Sequence, residues 1–116
     1  MAVCNDAAYF QTVIGRIMDE ARALVAALPA PAKVIVGDQS KGPAYAVASD
    51  EQRNFIVDIA RMSGVVLDPV YTGKAMHGLA QLIRSDGALV GKRVLFVHTG
   101  GLPGLLAQGE DFERCL

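Results

Sequence analysis

Three short apolar stretches alternate with amphipathic helical patterns along this chain, and this alternation most constrains the fold. The stretches are Val34 to Val36, Val65 to Leu67 and Val94 to Val97, and no polar residue interrupts them. Strands that are apolar on both faces are typical of parallel sheets that helices cover on both sides. We therefore predict an α/β fold, a three-layer parallel sheet flanked by helices, with these three segments as buried central strands.

Helical patterns precede, separate and follow the apolar stretches. Apolar residues recur at helical spacing from Phe10 to Leu28. Ser49 and Gln52 make a capping box at the start of a second helix, which is expected to end at a glycine. A third helix is predicted from Gly73 to Arg84, and Pro103 marks the first turn of a fourth. No linker or repeat interrupts this order, so residues 1–116 are predicted to form one α/β unit.

The composition excludes some classes of partner and raises a question about completeness. The net charge is −1 and the basic residues are scattered, so neither a nucleic-acid site nor a charged membrane-binding surface is expected. Hydrophobic residues make up 52% of the 116 residues, which is high for a small domain with a limited core. The chain is therefore expected either to oligomerise or to form part of a larger fold.

The ends of the sequence bear on its location. The start, MAVCNDAAYF, lacks the basic and apolar regions of a signal peptide, and no apolar stretch is long enough to span a bilayer. Cys4 and Cys115 show no metal-binding spacing, and two free thiols in a reducing compartment are favoured over a disulfide. These features predict a cytoplasmic protein.

Three glycine-containing loops follow the predicted strands and would meet at one edge of the sheet. Their sequences are GDQSKGPAY, DPVYTG and HTGGLPG. Ligands bind at the carboxyl edge of parallel sheets, where glycines admit close approach and helix N-termini favour anions. The loops therefore predict a pocket, although the glycines could also serve the turns and the tyrosines could pack internally. The candidate lining residues are Tyr45, Tyr71, Thr72, Thr99, Gly100 and Gly101.

Two motifs in these loops carry a family resemblance. LDPVYTGKAMHGL followed by VLFVHTGG resembles the C-terminal part of the pyridoxal-phosphate-dependent D-cysteine desulfhydrase and 1-aminocyclopropane-1-carboxylate deaminase family. VCNDAAYF and GPAYAV fall upstream in the family's order, so the likeness covers nearly the whole chain. The resemblance implies part of a tryptophan synthase β-like fold, in which two α/β domains hold pyridoxal 5'-phosphate between them.

The resemblance also implies roles for the loop residues. Tyr71 and Tyr45 correspond to catalytic tyrosines near the cofactor and the substrate. Thr99 corresponds to the residue beside the pyridine nitrogen, and Gly100 and Gly101 to the turn behind the ring. Thr72, also a candidate cofactor contact, falls where the deaminases carry a glutamate and the desulfhydrases a threonine. The implied reaction is β-elimination of D-cysteine to pyruvate, ammonia and sulfide, with deamination of the cyclopropane amino acid as the alternative. A small amino-acid substrate and a homodimer of the complete enzyme are implied as well.

The family's Schiff-base lysine and phosphate-binding loop precede the region that this chain resembles. The lysines present are Lys33, Lys41, Lys74 and Lys92, and the resemblance gives none of them that role. Lys74 is expected to be solvated at a helix start or to pair with a carboxylate. The chain alone is therefore expected to be inactive and to need a missing N-terminal portion or a partner chain, and whether it acts as an enzyme stays open.

Some positions depart from the family pattern. Alanines flank Tyr45 where the family tends to have glycines, so a positive φ at Ala44 or Ala46 would strain the loop. Leu106 and Gln108 stand where the family usually has the Phe and Tyr of a Phe-Ala-Tyr pattern. Residues 109–116 have no clear counterpart and are a candidate disordered tail.

The two histidines have bland as well as functional roles open to them, and two other functions are open to the chain. His98 either hydrogen-bonds near the cofactor or satisfies a backbone carbonyl, and His77 is expected at an interface. No cluster has metal-ligand spacing. The first alternative is a non-catalytic module that binds a small anionic ligand or a partner chain through the same loops. The second, a nucleotide-binding α/β domain, lacks a G-x-G-x-x-G or Walker pattern.

Overall fold

The architecture is known from a computed structural model that describes residues 5–29, 33–85 and 87–115. Four α-helices occur in these ranges, together with two short 3₁₀ helices. The α-helices are α1 (Ala7–Leu24), α2 (Asp50–Ser63), α3 (Thr72–Ser85) and α4 (Leu102–Leu106), and the 3₁₀ helices are Gly87–Leu89 and Gly109–Cys115.

The helix ends follow local sequence signals. The Asp6 side chain accepts a hydrogen bond from the Tyr9 N–H at 2.8 Å and so caps α1. The predicted capping box of α2 is confirmed, since Ser49 and Gln52 each accept from the other's backbone N–H. Gly64 ends α2 in a left-handed conformation with φ of 73°. These termini are therefore set by residues that satisfy unpaired backbone groups.

The predicted three-layer parallel sheet is wrong. Residues 5–29, 33–85 and 87–115 contain no β-ladder, and their only β-type pairing is an isolated antiparallel bridge between Ala44 and Val47. The segments Val34 to Val36, Val65 to Leu67 and Val94 to Val97 carry neither helix nor strand. A strand exists only when a neighbouring backbone pairs with it. The apolar pattern reports a preference for burial and carries no information about a partner.

Exposure shows the same lack of a partner. Ile35 is 79% exposed, Leu95 87% and Val97 68%, so these positions are not the buried centre of a sheet. Leu67, in contrast, is fully buried. Burial therefore separates the members of the predicted strands, although their sequences look alike.

The hydrophobic core lies against α2. It consists of Ile56 and Val57 of α2, Leu67, and Phe112 of the last 3₁₀ helix. The segment that was a candidate disordered tail thus contributes Phe112, which is 6% exposed. The partly buried residues that pack against this core are Ile59, Met76, Phe96, Leu105 and Cys115.

The chain is extended for its length. Its radius of gyration is 16.3 Å, whereas a compact domain of this size would have about 13 Å. Helix α1 buries none of its residues, although one face of it is apolar. A large share of the apolar surface therefore has no partner within the described residues.

Two sequence predictions touch the edges of the described ranges. Val3 and Cys4 lie outside them, so the predicted free thiol of Cys4 and the start of the VCNDAAYF motif remain predictions, while Cys115 is a free thiol.

Within the described ranges, every helix is too short or too polar to traverse a lipid bilayer.

Candidate functional site

Asp68 organises the start of α3. Its carboxylate accepts hydrogen bonds from the backbone N–H groups of Val70, Tyr71 and Thr72, at 2.8, 2.7 and 2.8 Å, and from the Thr72 hydroxyl at 2.5 Å. The first N–H groups of a helix have no partner within the helix, and a carboxylate also interacts favourably with the helix dipole. Asp68 therefore fixes the Asp-Pro-Val-Tyr-Thr turn as a rigid lead into α3.

Burial and hydrogen bonding act in opposite directions on Asp68. The residue is 2% exposed, and burial alone would raise the pKa of its carboxyl group. The hydrogen bonds from the Thr72 hydroxyl and from the three backbone N–H groups outweigh this effect, so the pKa lies below its ordinary value. The carboxylate is thus held in its charged form inside the protein.

Gly73 lets α3 approach α2. A Cβ atom on Gly73 would overlap the side chain of Ile56 and would lie 2.6 Å from the carbonyl oxygen of Asp68. Real Cβ atoms do not approach other heavy atoms so closely. The glycine of the Tyr-Thr-Gly sequence is therefore required by packing between the two helices.

Lys74 is buried, contrary to its expected place at a solvated helix start. It is 0% exposed, and its Nζ atom donates to the carbonyl oxygens of Lys41 and Ala44 at 2.7 and 2.9 Å. Its pKa is lowered by burial, an effect that the nearby charge of Asp68 partly offsets. Of the two predicted positions, the solvated one is wrong because the long side chain turns inward to the 41–44 loop, where two carbonyls replace water. The other, proximity to a carboxylate, agrees with the charge interaction between Lys74 and Asp68.

Tyr45 and Tyr71 meet across two loops. Their hydroxyl oxygens lie 2.5 Å apart, and their rings are 6.2 Å apart at an interplanar angle of 63°. Both side chains are partly open to solvent, at 56% and 44% exposure. The structure thus brings the two predicted catalytic tyrosines together as an accessible pair of phenols.

Tyr45 lies in a tight turn held from both sides. The Val47 N–H donates to the Ala44 carbonyl at 3.2 Å, and Ala46 has a φ of 59°. A positive φ at the third residue of a turn favours glycine or asparagine, so alanine is strained there. Gln108, in the turn after α4, donates from Nε2 to the Ala46 carbonyl at 3.1 Å.

The third loop closes onto Asp68. Gly101 has a φ of 117°, and a Cβ atom on it would lie 2.7 Å from the Asp68 Cβ and would overlap the carboxylate. Gly100, with a φ of 98°, has no heavy atom near the position of a Cβ, and Thr99 is exposed. Gly101 therefore packs on Asp68, whereas Gly100 and Thr99 border open space.

His98 anchors this third loop. Its Nε2 lies 2.9 Å from the carbonyl oxygen of Val66, and the Gly100 N–H donates to Nδ1 at 3.1 Å. A carbonyl oxygen can only accept, so the ring nitrogen that contacts it must be the donor and the ring carries a proton on Nε2. Of the two predicted roles, the one observed is the contact with a backbone carbonyl.

Thr72 and His77 face the interior. Thr72 is 3% exposed, and its hydroxyl donates a hydrogen bond to the Asp68 carboxylate. Its predicted contact with a cofactor stays a prediction. His77 packs edge-on against Phe55 of α2, and its Nε2 lies 3.2 Å from the Glu51 carboxylate. The buried His77 Nδ1 has no hydrogen-bond partner among the residues that the structure describes. The interface expected for His77 is the contact between α2 and α3.

An apolar pocket of about 470 Å³ lies elsewhere. It is lined mainly by α2 and by the segment after Gly101, and none of the predicted site residues contributes to it. Its lining residues are Ile56, Val57, Ala60, Arg61, Val66, Leu105, Leu106, Gly109 and Phe112.

Sequence reasoning missed Asp68, Lys74 and Gln108 as parts of the site. Asp68 could have been found, because an aspartate shortly before a helix is a common capping residue. Lys74 and Gln108 bind backbone carbonyls of a loop that is distant in sequence, and no local sequence pattern predicts such contacts. In the described ranges, no group of three or more histidine, cysteine, aspartate or glutamate side chains could hold a metal ion.

Comparison with known proteins places these loops in context. No family profile matches the chain. It is 37% identical over 105 residues to an Arabidopsis thaliana protein named bifunctional D-cysteine desulfhydrase/1-aminocyclopropane-1-carboxylate deaminase, mitochondrial, a match that covers 90% of this chain and 25% of that protein.

Two bacterial proteins are similar as well. A putative 1-aminocyclopropane-1-carboxylate deaminase of Thermotoga maritima is 44% identical over 73 residues, which is 63% of this chain and 22% of that protein. A 1-aminocyclopropane-1-carboxylate deaminase of Burkholderia vietnamiensis is 40% identical over 84 residues, which is 72% of this chain and 25% of that protein.

The chain spans about a quarter of the length of these curated relatives. The matches agree with the resemblance that the Asp-Pro-Val-Tyr-Thr-Gly and His-Thr-Gly-Gly motifs carry. The chain belongs to the D-cysteine desulfhydrase and 1-aminocyclopropane-1-carboxylate deaminase family, of which it represents a part.

Proposed function

We propose that this chain is the C-terminal portion of a D-cysteine desulfhydrase-like lyase that depends on pyridoxal 5'-phosphate, and that it acts only when the remaining portion is supplied. The observation that carries the proposal is the pair formed by Tyr45 and Tyr71, whose hydroxyl oxygens are 2.5 Å apart and accessible. Two phenols held within hydrogen-bonding distance of each other can pass a proton to a substrate and recover it.

The residues around this pair fit one wall of a cofactor site. Thr99 is exposed beside Gly100, where open space would admit a flat ring. The Thr99 hydroxyl would meet the ring nitrogen, and Gly100 would let the backbone lie close behind the ring. When bound, the cofactor supplies an electron sink for the substrate, and the protein supplies binding and orientation.

Tyr71 and Tyr45 would handle protons. β-Elimination removes the α-proton of D-cysteine, which a base on the remaining portion would accept, and breaks its C–S bond. Uptake of one water then gives pyruvate and ammonia besides sulfide. The leaving sulfur needs a proton, which the Tyr71 hydroxyl would donate while Tyr45 hydrogen-bonds the resulting oxygen. The short distance between the hydroxyls supports their acting as a pair.

The resemblance gives none of the four lysines the role of holding the cofactor covalently, and the structure argues against Lys74 in particular. Lys74 is the lysine nearest in sequence to Tyr71, but it is fully buried and its amino group is bound to two carbonyls. A nucleophilic lysine must reach its cofactor. The lysine and the phosphate-binding loop would therefore come from the remaining portion, and the chain alone would be inactive.

The exposed apolar segments support a missing partner surface. Val34, Ile35, Val94, Leu95 and Val97 are all at least 45% exposed, which is unusual for such apolar stretches in a self-contained domain. The remaining portion of the enzyme would cover them, and two completed copies would form the homodimer.

A module that binds a small anion is less well supported. Helix N-termini attract anions through free N–H groups, but the N–H groups at the start of α3 are bound to Asp68. The start of α2 carries a capping box together with Asp50 and Glu51. Both termini are thus already occupied by the chain's own polar groups.

Complementation tests the proposal. The chain is co-expressed with the part of the Thermotoga maritima relative that the match does not cover, and the purified complex receives pyridoxal phosphate and D-cysteine. Sulfide release by the complex, but by neither part alone, is expected. Ammonia release from 1-aminocyclopropane-1-carboxylate without sulfide from D-cysteine would favour the alternative reaction within the family. Failure of the two parts to associate would contradict the proposal.

A further inference from the structure

Side chains from distant parts of the chain form hydrogen bonds with the turn that carries Tyr45, one on each side of the tyrosine. Lys74 of α3 donates to the carbonyl of Ala44, which precedes Tyr45, at 2.9 Å. Gln108 donates to the carbonyl of Ala46, which follows it, at 3.1 Å. These two carbonyls bracket the tyrosine, so its backbone position is fixed from both directions.

The turn needs this support. Ala46 is the only non-glycine residue with a positive φ in residues 5–29, 33–85 and 87–115. Such a conformation is costly for alanine and persists only where surrounding contacts over-determine it. Without them, the turn could relax and carry the Tyr45 hydroxyl away from Tyr71.

Lys74 is placed to act over a longer stretch of the loop. Its Nζ atom also donates to the Lys41 carbonyl at 2.7 Å, and a Cβ atom on Gly42 would lie 3.2 Å from it. Gln52 holds the same loop by donating to the Ser40 carbonyl at 2.9 Å. The loop from Ser40 to Ala44 therefore wraps around a buried amino group and has little freedom to shift.

We infer that Lys74 and Gln108 are positioning residues that hold Tyr45 against Tyr71 by binding the carbonyls on either side of Tyr45. This inference deepens the proposed function, on which its significance for catalysis rests. Neither residue needs to touch a substrate. Their effect is to keep the two hydroxyls within hydrogen-bonding distance before any substrate binds, which lowers the cost of ordering the site.

Light-driven oxidative coupling of tyrosines measures this proximity directly. A ruthenium tris-bipyridyl complex with persulfate joins tyrosine rings that lie in contact, and the product fluoresces. The chain has three tyrosines and no tryptophan, so the signal is free of tryptophan emission. Coupling within one chain is isolated from the monomer band of a denaturing gel, and peptide mapping identifies the joined Tyr45 and Tyr71.

Each of the two test variants removes one side chain that donates a hydrogen bond to a carbonyl beside Tyr45. Lys74→Met replaces the amino group by an apolar end of similar length, and Gln108→Glu replaces the donating amide by a carboxylate that cannot donate. We expect the yield of coupled Tyr45 and Tyr71 to fall about fivefold in each, the size expected for loss of one such hydrogen bond. The matched controls, Lys92→Met and Gln11→Glu, alter exposed residues and should keep the wild-type yield.

The outcomes separate cleanly. Wild-type yields in both test variants, or no coupling in the unaltered chain, would overturn the inference, and a fall in only one would remove the other residue from it. Circular dichroism checks the helices, and if Lys74→Met has lost them, Gln108→Glu alone decides. The measurement needs no cofactor, substrate or remaining portion, so its failure is distinguishable from a failure of the proposed function. In an active complex, the same variants should lower kcat more than they raise KM.

Discussion

The carboxylate of Asp68 lies where a side chain on Gly101 would have to be. A Cβ atom built on Gly101 would be 2.7 Å from the Asp68 Cβ, and it would overlap the carboxylate itself. The same carboxylate binds the N–H groups that begin α3. The third loop and the start of α3 are therefore joined at a single buried acid.

Gly101→Ala should destabilise the chain by about 2 kcal/mol, because the added methyl group both overpacks Asp68 and forces alanine to a positive φ. Gly109→Ala is the matched control, since a Cβ there meets nothing within 4 Å. Urea unfolding followed by pulse proteolysis, at concentrations low enough to avoid association, gives both values. Equal stability of the two variants would mean that the loop does not pack on Asp68.

Asp68 should also govern stability in acid. Its pKa is lower in the folded chain than in the unfolded chain. Between these two pKa values the unfolded chain therefore binds more protons than the folded chain. The stabilisation from the carboxylate is thus complete above about pH 4, the ordinary range of an aspartate, and is lost as the pH falls through the lower folded-state value.

Asp68→Asn tests this dependence. The variant should be less stable than the unaltered chain near neutral pH and should lose less stability on acidification. Asp19→Asn, at an exposed position of α1, should leave the acid profile unchanged. The measurement is the free energy of unfolding across the acid range, and identical slopes for Asp68→Asn and the unaltered chain would count against the role of Asp68.

The strain at Ala46 predicts an unusual stabilisation by glycine. Ala46→Gly should stabilise the chain by about 1 kcal/mol, since glycine has no penalty at a φ of 59°. Ala48→Gly, two residues on at a buried position without a positive φ, should destabilise it by a similar amount. Destabilisation by both changes, measured by the same unfolding assay, would show that Ala46 is not strained.

How far the sequence predicts this structure depends on whether the relevant partner is local. Ser49 and Gly64 mark the ends of α2 because capping residues act on neighbouring backbone groups. Val94 to Val97 looked like a buried strand, but its ladder partner is not set by its own residues. Burial within that stretch consequently could not be derived, and Leu95 is among the most exposed apolar side chains.

The candidate site shows the same division. Tyr45 and Tyr71 were predicted in one site from their loops, and their hydroxyls do lie together. The basis of that prediction was a shared sheet edge, which is absent from the described residues, whereas the observed basis is Asp68 and Lys74 acting on the loops. Contacts between side chains and distant backbone carbonyls leave no periodic signal in a sequence.

The exposed apolar segments predict association of the isolated chain. At micromolar concentration it should oligomerise and bind a hydrophobic dye, because side chains such as Leu95 are 87% exposed. Leu95→Glu should reduce both effects, whereas Gln11→Glu, which adds the same charge elsewhere, should not. Sedimentation velocity measures the association, and a monomer that binds no dye would show that the chain is a self-contained domain.

The central claim is that this chain brings the catalytic tyrosines to a lyase completed by another portion. Its most direct test is sulfide release from D-cysteine by the complemented complex that carries Tyr71→Phe. Loss of a proton-transferring group should lower kcat about 10²–10⁴-fold, while the amount of bound cofactor stays unchanged. Tyr9→Phe, an exposed tyrosine on α1, should retain full activity. Undiminished sulfide release with Tyr71→Phe would contradict the account.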